Sequence, residues 1–312
     1  MKKSLLLMSL VVSIISYTSI TFAAVTGISQ PLTASQFPIK ITKPGSYQLT
    51  SDITVPNANT TAILVQANNV TIDMNGFAIL GPTVCSGAPV TSCVPTGTGI
   101  GIDASNSNNV RVSNGTISGM GNYGVHTGTS SDGGAIVQNI LVSNNGGTGI
   151  NSRLCTVSNC IANFNGGHGI IAGEGTASNN SISFNGGDGI HCDSALNVTG
   201  NYINANNGNG IWMLNSAHIA NNTVINNNGD GIKVGNSGIV INNEVGGNLM
   251  DGISVAFSGM VNGNSSIGNT GLGLNLGGEV SYLNNSLSYN TGGNVSGGVN
   301  LGANLCDTAV CP

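Results

Sequence analysis

Residues Asn165 to Ile190 read NGGHGIIAGEGTASNNSISFNGGDGI, and the same motif stands at both ends of this stretch. Each copy finishes on a glycine followed by an isoleucine. This pair recurs at steps of 20 or 21 residues, at Gly149-Ile150, Gly169-Ile170, Gly189-Ile190, Gly210-Ile211, Gly231-Ile232, Gly252-Ile253 and, with leucine, Gly273-Leu274. Two earlier pairs, Gly99-Ile100 and Gly124-Val125, stand at steps of 25. A fixed period of this length indicates a repeat architecture.

Two further aliphatic columns keep the same period when each glycine is counted as position zero. Position −12 holds Val137, Val157, Ala177, Val198, Ile219, Val240 and Val261, and position −7 holds Val142, Ala162, Ile182, Ile203, Val224 and Val245. β-branched residues dominate these columns, as they do in strands. Helices of ordinary length do not fit in the gaps. The pattern therefore predicts three short strands per repeat.

Asparagine forms a column of its own. Position −4 holds Asn145, Asn165, Asn185, Asn206, Asn227, Asn248 and Asn269, and Asn290 follows one period later. Asparagine tolerates the left-handed backbone of a tight bend, and stacked amides hydrogen-bond to one another. We expect an internal asparagine ladder here, and a patchier column at position −10 holds Asn139, Asn159, Asn179, Asn221 and Asn242.

These columns describe a solenoid whose coils stack by parallel strand pairing, about 4.8 Å per coil. Parallel crossovers favour a right-handed path. The predicted fold is an all-β, single-stranded right-handed parallel β-helix. It has about 11 coils of about 20–25 residues each, stacked about 4.8 Å apart.

The chain resembles a known group, the secreted right-handed parallel β-helix proteins of the pectate-lyase-like and NosD-like kind. The resemblance rests on the Gly-x-Gly-Ile repeats, on NNVTIDMNGFAILG from Asn68 to Gly81 and on NVRVSNGTISG from Asn109 to Gly119. It covers roughly residues 45–300 and implies the β-helix fold. The group includes lyases, hydrolases, epimerases, tailspikes and non-enzymes, so it implies no single activity.

The ends of the chain read differently from the repeat. Residues 1–23 have the features of a signal peptide, with Lys2 and Lys3, an apolar run and Thr21-Phe22-Ala23 as a small-x-small cleavage site. We expect residues 24–56 to form an N-terminal cap, residues 57–300 the β-helix and residues 301–312 a C-terminal tail. The mature protein is then secreted or periplasmic, with no membrane insertion after cleavage.

Seven cysteines suit an oxidising compartment. Cys85 and Cys93 bracket one loop, and Cys306 and Cys311 bracket the C-terminal tail, so we expect a disulfide in each. The remaining three, Cys155, Cys160 and Cys192, are interpreted as small buried hydrophobic residues.

Composition excludes some classes of function. Only 6% of the residues are charged. Two of the seven Lys/Arg residues lie in the leader, so the mature chain has five Lys/Arg and twelve Asp/Glu residues and a negative net charge. A nucleic-acid binder should be basic, so nucleic acid is not an expected partner. The 48 glycines and 46 asparagines are assigned mainly to the architecture of the coils.

The few large polar side chains fall in neighbouring columns and define the candidate site. Position +2 holds Asn151, Ile171, His191, Trp212, Lys233, Ser254 and Asn275, and position −1 holds Thr148, His168, Asp188, Asn209, Asp230 and Asp251. Arg153 and Asp193 stand at position +4. We expect these residues to lie along one side of about five coils.

The chemistry of this cluster suits a carbohydrate. The predicted substrate-binding residues are Trp212, as a flat apolar surface for a sugar ring, with Arg153 and Asn209. The alternative is that Trp212 only covers a groove in the surface and binds no sugar. The predicted catalytic residues are His191, Asp193, His168, Asp188 and Lys233, with His191 or Lys233 as a base and Arg153 neutralising a carboxylate. A simple surface pair is the alternative for His168 and Asp188.

Asp230 and Asp251 occupy equivalent positions in adjacent coils, with backbones about 4.8 Å apart. They are a candidate site for a hard cation such as Ca²⁺ or a carboxylate pair of the glycosidase kind. The alternative is two solvated turn aspartates, since Asp suits a turn before Gly. No other cofactor is expected.

Known catalytic motifs give little further support. Gly167-His168-Gly169 resembles the Gly-His-Gly of polygalacturonase-type hydrolases but also falls on the repeat itself, and the paired-aspartate motif of that family is missing. The Asp-Pro-His signature of alginate epimerases is missing too. We therefore expect an exported protein that binds a polysaccharide or cell-surface glycan, and the sequence leaves open whether it also cleaves the chain as a lyase or hydrolase. The alternative is a non-catalytic structural or cell-surface protein. Ice binding would need a flat array of threonine columns, and the repeat has none.

Overall fold

The computed structural model describes residues 25–128 and 134–311. The predicted signal peptide, residues 1–23, lies outside this range. The chain winds into a solenoid of about 13 turns with almost no helix, since the described part contains one short 3₁₀ helix, Ala34–Gln36. Within the described ranges, no helix has the length and apolar character needed to cross a membrane.

Each coil passes through three parallel sheets, named A, B and C in chain order. Sheet A contains Ile39–Ile41, Ile63–Val65, Ile102–Ala104, Val125–Thr127, Ile150–Ser152, Ile170–Ala172, Ile190–Cys192, Ile253–Val255 and the first parts of Ile211–Ala220, Ile232–Ile241, Leu274–Leu283 and Val295–Asn300.

Sheet B follows the first bend of each coil. It contains Thr26–Ile28, Gly45–Leu49, Val70–Asp73, Cys155–Ser158, Gly175–Ser178, Leu196–Thr199, Gly259–Asn262, the first parts of Val110–Ser118 and Ala135–Ser143, and the second parts of Ile211–Ala220, Ile232–Ile241, Leu274–Leu283 and Val295–Asn300.

Sheet C completes the coil. It contains Ile53–Thr54, Ala78–Leu80, Ile161–Asn163, Ser181–Ser183, Tyr202–Asn204, Thr223–Ile225, Glu244–Gly246, Ser265–Ile267, Ser286–Ser288, Leu305–Cys306 and the second parts of Val110–Ser118 and Ala135–Ser143.

The three predicted aliphatic columns are the three inward rows. Ile190, Val198 and Ile203, one from each sheet of the same coil, are all fully buried. The repeat thus predicts both the strands and the face of each strand that packs in the core. The coil count exceeds the predicted 11 because the strands Thr26–Ile28, Ile39–Ile41 and Gly45–Leu49 already pair in register with the coil that follows.

The glycine at position zero is required by packing rather than by a turn. A Cβ on Gly189 would lie 2.6 Å from the carbonyl oxygen of Gly210 and 2.5 Å from the Cγ2 of Ile203. The backbone of each coil therefore approaches the next too closely for any side chain at this position.

The asparagine ladder at position −4 is present and buried. The side-chain amide of each residue donates to the Oδ1 of the next, from Asn145 to Asn165 at 2.9 Å and on to Asn290. The same Oδ1 atoms accept the backbone N–H of the preceding ladder residue, as Asn227 does from Asn206 at 3.0 Å. The ladder thus satisfies buried polar groups in the coils from Asn145 to Asn290.

A second buried ladder runs at position −9 and was not predicted. Its members are joined by hydrogen bonds of 2.9–3.1 Å from the side-chain amide of one to the Oδ1 of the next, and they are Asn180, Asn201, Asn222, Asn243, Asn264, Asn285 and Asn304. The patchy column at position −10 is the exposed neighbour of this ladder and takes the left-handed backbone, with φ of 55° at Asn179 and 58° at Asn221. At the other bend the left-handed residue is likewise the one before the ladder, as Phe184 is before Asn185.

Two disulfides close local hairpins, as predicted. Cys85–Cys93 joins the antiparallel strands Val84–Gly87 and Val90–Val94, and Cys306–Cys311 closes the hairpin of Leu305–Cys306 and Ala309–Val310. Cys155, Cys160 and Cys192 are free and buried, also as predicted.

Candidate functional site

The outward residues of sheet A form one straight column. Parallel pairing places His191 beside Trp212, and Trp212 beside Lys233, on neighbouring strands. The flanking positions of the column are Asn151 and Ile171 before His191, and Ser254 and Asn275 after Lys233. The predicted clustering of these residues on one side of the rod is therefore present.

Asp188 lies at the centre of the contacts on this face. Its Oδ2 atom lies 2.8 Å from Nδ1 of His191, and its Oδ1 atom accepts the backbone N–H and the side-chain amide of Asn209 at 2.7 and 3.0 Å. Burial on its own raises the pKa of Asp188, but the contacts with His168 and His191 and the N–H of Asn209 outweigh burial and hold the pKa well below its usual value. Asp188 is therefore a fixed, ionised acceptor.

His168 contacts Asp188 in two ways. Its Nδ1 atom accepts the backbone N–H of Asp188 at 2.9 Å and lies 3.3 Å from the Oδ2 atom of the same residue. The same nitrogen accepts the N–H when it carries no proton and donates to Oδ2 when it does, so the two contacts are alternatives. The rings of His168 and His191 are 4.5 Å apart between centroids.

Trp212 is held by its neighbour. Its ring lies edge-on to that of His191, with centroids 4.2 Å apart and planes at 67°. The side chain is partly exposed, so one part of the indole packs on the protein while another part faces outward. An aromatic surface fixed in this way loses little conformational freedom when it meets a ligand.

The charged residues around this centre are more exposed. Asp193 has an exposed carboxylate 3.6 Å from Nε2 of His191. The Nζ atom of Lys233 lies 3.3 Å from Oδ2 of Asp230, and about half of the lysine side chain is exposed. Arg153 lies at the exposed bend after Ile150–Ser152, and within the described part of the chain no ion pair joins it to the cluster.

The column at position −1 also has a structural role that the sequence did not reveal. The Oδ1 atoms of Asp188, Asn209, Asp230 and Asp251 each accept the backbone N–H of the next residue in the column, at 2.7–3.0 Å. Asn209, a predicted substrate-binding residue, thus has its carbonyl and its amide engaged by the coil. The signal that could have found this ladder is the run of four Asx residues at one period.

Asp230 and Asp251 are the aspartates for which a calcium site is predicted. The remaining oxygen of Asp230 faces Lys233, and that of Asp251 accepts the amide of Asn275 at 2.7 Å. Every carboxylate oxygen of the pair already has a protein partner. Ca²⁺ binding at this position stays a prediction.

The hairpin closed by Cys85–Cys93 lies across the bend between sheets C and A. Val90 donates its N–H to the carbonyl of Phe184, and the hairpin and the glycines Gly146, Gly166 and Gly186 together line a pocket of about 320 Å³. Gly166 and Gly186 stand two residues before His168 and Asp188. The hairpin therefore forms a raised border next to the His168–Asp188 cluster.

A second, smaller cluster occupies the same outward column nearer the N-terminus. Asp103 and His126 are partners on adjacent strands, with 3.9 Å between Oδ1 and Nδ1, and Tyr123 packs edge-on against the His126 ring. Burial lowers the pKa of His126, and the charge of Asp103 opposes this in part. The polar column of sheet A thus extends beyond the predicted five coils.

Solved structures with a similar fold are known. The A-modules of the mannuronan C-5 epimerases AlgE4 and AlgE6 from Azotobacter vinelandii superpose with TM-scores of 0.63 and 0.65, each at 14% identity. The matches cover 84% of this chain and 84% of the AlgE4 module, and 93% of this chain and 89% of the AlgE6 module. The fold is the right-handed parallel β-helix.

This β-helix also superposes on a variant of the periplasmic alginate epimerase AlgG, with a TM-score of 0.53, 13% identity and coverage of 85% of this chain and 74% of that one. No model of a known protein family matches the sequence, and no curated protein matches it. At these identities the likeness establishes the β-helix fold, in agreement with the pectate-lyase-like resemblance predicted from the repeats.

Proposed function

We propose that this protein is exported and binds a polysaccharide along the outward face of sheet A. The observation that carries the proposal is the Trp212 ring, held against His191 and placed between His191 and Lys233 in one straight column. The solved structures with the same fold supply a second support, because their names describe enzymes that act on mannuronan and alginate. The two disulfides agree with an oxidising compartment.

The geometry of the column suits a linear polymer. Its residues repeat about every 4.8 Å along the rod, which is close to the length of one sugar unit in an extended chain. Successive sugars then face successive coils, with the indole of Trp212 available to one ring face and Lys233 and the asparagines available to hydroxyl or carboxylate groups.

A chemical step is the second candidate function, and the contact between His191 and Asp188 favours it. A carboxylate that accepts the Nδ1 proton of a histidine orients the ring and leaves Nε2 as a base. With 15% of its side chain exposed, His191 can reach a bound ligand. On this proposal His191 is the base, Asp188 its positioning residue, and His168, Asp193 and Lys233 line the site.

The test is a panel of polysaccharides offered to untagged protein. Mannuronan, alginate, pectate and a neutral glucan are compared for binding by calorimetry, and for new reducing ends and unsaturated products, with and without EDTA. Binding without product supports the binding function, and product that disappears in His191→Asn supports the chemical step. Neither binding nor product from any chain would leave the structural role, in which the ladders and the rod are themselves the function.

A further inference from the structure

We propose that His168, Asp188 and His191 together bind one divalent first-row transition-metal ion. The inference goes beyond polysaccharide binding and does not depend on it, because it concerns three side chains whose mutual geometry is set by the coil. One ligand atom from each of the three residues lies within 4.8 Å of the other two.

The separations of the ligand atoms suit a shared ion. The Oδ2 atom of Asp188 lies 2.8 Å from Nδ1 of His191 and 3.3 Å from Nδ1 of His168. Nitrogen and oxygen ligands stand about 2.0–2.2 Å from a zinc ion, so two of them at a tetrahedral angle are about 3.4 Å apart. A small movement of the His191 ring away from Asp188 brings Nδ1 of both histidines to about that distance from Oδ2, and the two histidine ligand atoms lie within 4.8 Å of each other.

The carboxylate is pre-arranged for this role. Asn209 fixes the Oδ1 atom of Asp188 with two hydrogen bonds, which leaves Oδ2 turned toward both imidazole rings. On metal binding the Nδ1 proton of His191 moves to Nε2 through solvent, and Asp193 stands 3.6 Å from that nitrogen. A ligand histidine whose second nitrogen faces a carboxylate is the usual outer shell of a metal site.

His168 is the ligand that gives up a contact. Its Nδ1 lone pair now accepts the N–H of Asp188, so coordination through this atom leaves that N–H without its acceptor. We therefore expect an affinity below that of closed structural zinc sites. The exposed fractions of the three side chains, 30%, 9% and 15%, leave room for water or a ligand group to complete the coordination.

The donor set decides the class of metal. Two imidazoles and one carboxylate suit zinc, iron, cobalt, nickel or copper, whereas Ca²⁺ takes six to eight oxygen ligands. With a metal bound, His191 is a ligand and no longer a free base. Any reaction on this face would then use the ion as a Lewis acid, and the metal test therefore also decides between the two chemical roles of His191.

Trp212 provides the reporter for the experiment. It is the single tryptophan in the chain, and its ring lies 4.2 Å from that of His191. Metal-stripped, untagged protein is titrated with Co²⁺ while tryptophan fluorescence is recorded, and Zn²⁺ is then added as a competitor. We expect saturable quenching with one ion per chain and recovery of the fluorescence with Zn²⁺.

The repeat itself supplies conservative variants. Asn209 occupies the position of His168 two coils further on, and Asn151 and Asn275 occupy the column of His191, so His168→Asn and His191→Asn place residues that the fold already accepts there. The matched control is His218→Asn on sheet B, because His218 stands beside Asn197 in its own column. Circular dichroism and thermal unfolding confirm that each variant is folded.

We expect each site variant to weaken Co²⁺ binding more than about 100-fold, since loss of an outer-shell partner alone costs 10–100-fold, and His218→Asn to bind like the wild type. Absence of saturable quenching by Co²⁺, together with no heat of Zn²⁺ binding in calorimetry, overturns the proposal. Equal weakening in the site variants and in His218→Asn overturns it as well. The polysaccharide panel run in EDTA is unaffected by either result, so the two proposals fail separately.

Discussion

The Nδ1 atom of His191 lies 2.8 Å from the Oδ2 atom of Asp188, three residues earlier in the same coil. The pair links two otherwise separate systems. Asp188 belongs to a ladder that ties each coil to the next, while His191 belongs to the outward column that includes Trp212. The hydrogen bonds between the coils therefore fix Asp188, and Asp188 in turn holds the His191 ring in place on the outward face.

Truncation of the tryptophan should remove most polysaccharide binding. For Trp212→Ala we expect affinity to fall about tenfold or more, because a buried aromatic surface at the centre of an interface commonly contributes over 1.4 kcal/mol. Calorimetry with the best chain of the panel measures the effect.

Tyr202→Ala is the matched control for this prediction. Tyr202 is an exposed aromatic residue of the coil that precedes Trp212, but it lies on sheet C. Its variant should bind like the wild type. Equal affinity of the wild type and Trp212→Ala would contradict the placement of the ligand on sheet A.

The ladders should contribute strongly to stability. Asn227 accepts both the backbone and the side-chain N–H of Asn206, and its own amide donates to Asn248. For Asn227→Ala we expect a loss of about 3 kcal/mol, since each buried donor left without an acceptor costs about 1–3 kcal/mol. The free energy of unfolding in urea measures it.

The adjacent residue provides the comparison. Asn228 is exposed and its side-chain amide donates to the exposed Asn207, so Asn228→Ala should change stability by under about 0.5 kcal/mol. Asn222→Ala, in the second ladder, should resemble Asn227→Ala. Similar losses of unfolding free energy in Asn227→Ala and Asn228→Ala would contradict a stabilising role for the buried hydrogen bonds of the ladder.

His126 should make stability depend on pH. Burial lowers its pKa in the folded protein, so the unfolded chain, with a histidine pKa of about 6.5, binds a proton first as the pH falls. Its contribution is therefore fully present above about pH 6.5 and decreases as the pH falls from there toward the folded pKa. Unfolding curves of the wild type and His126→Asn should diverge in slope across this range, and parallel curves would exclude the effect.

The three free cysteines should be unreactive in the native protein. Burial raises the pKa of Cys155, Cys160 and Cys192 to about 11 each. At mildly alkaline pH almost none is thiolate, and the thiol is a poor nucleophile. A thiol reagent should label no cysteine before unfolding and three afterwards. Rapid labelling of any one of them in the folded protein would place it at the surface.

The repeat made most of the fold predictable. A period of 20 or 21 residues with aliphatic residues at positions −12, −7 and +1 sets strand number, inward face and parallel pairing at once. The second ladder escaped because asparagine pairs such as Asn179-Asn180 and Asn221-Asn222 occupy both the exposed bend and the buried position beside it. A sequence does not tell which member of such a pair points inward.

The candidate site was predictable only as a set of columns. Equal spacing brought His191, Trp212 and Lys233 to neighbouring strands, because stacking turns a sequence period into a spatial row. The hydrogen bonds that unite Asp188 with His168, His191 and Asn209 depend on rotamers and on side chains that reach between coils. The contact with Asn209 could have been found from the run of Asx residues at one period, whereas the contacts with the two histidines follow from packing in three dimensions that no residue spacing encodes.

The central claim is that a polysaccharide lies on sheet A, and a crystal structure of the protein with an oligosaccharide from the best-binding chain tests it most directly. We expect sugar rings arranged parallel to the rod axis over His191, Trp212 and Lys233, with one ring face against the indole. An oligosaccharide ordered on sheet B or sheet C, with Trp212 uncovered, would contradict the claim.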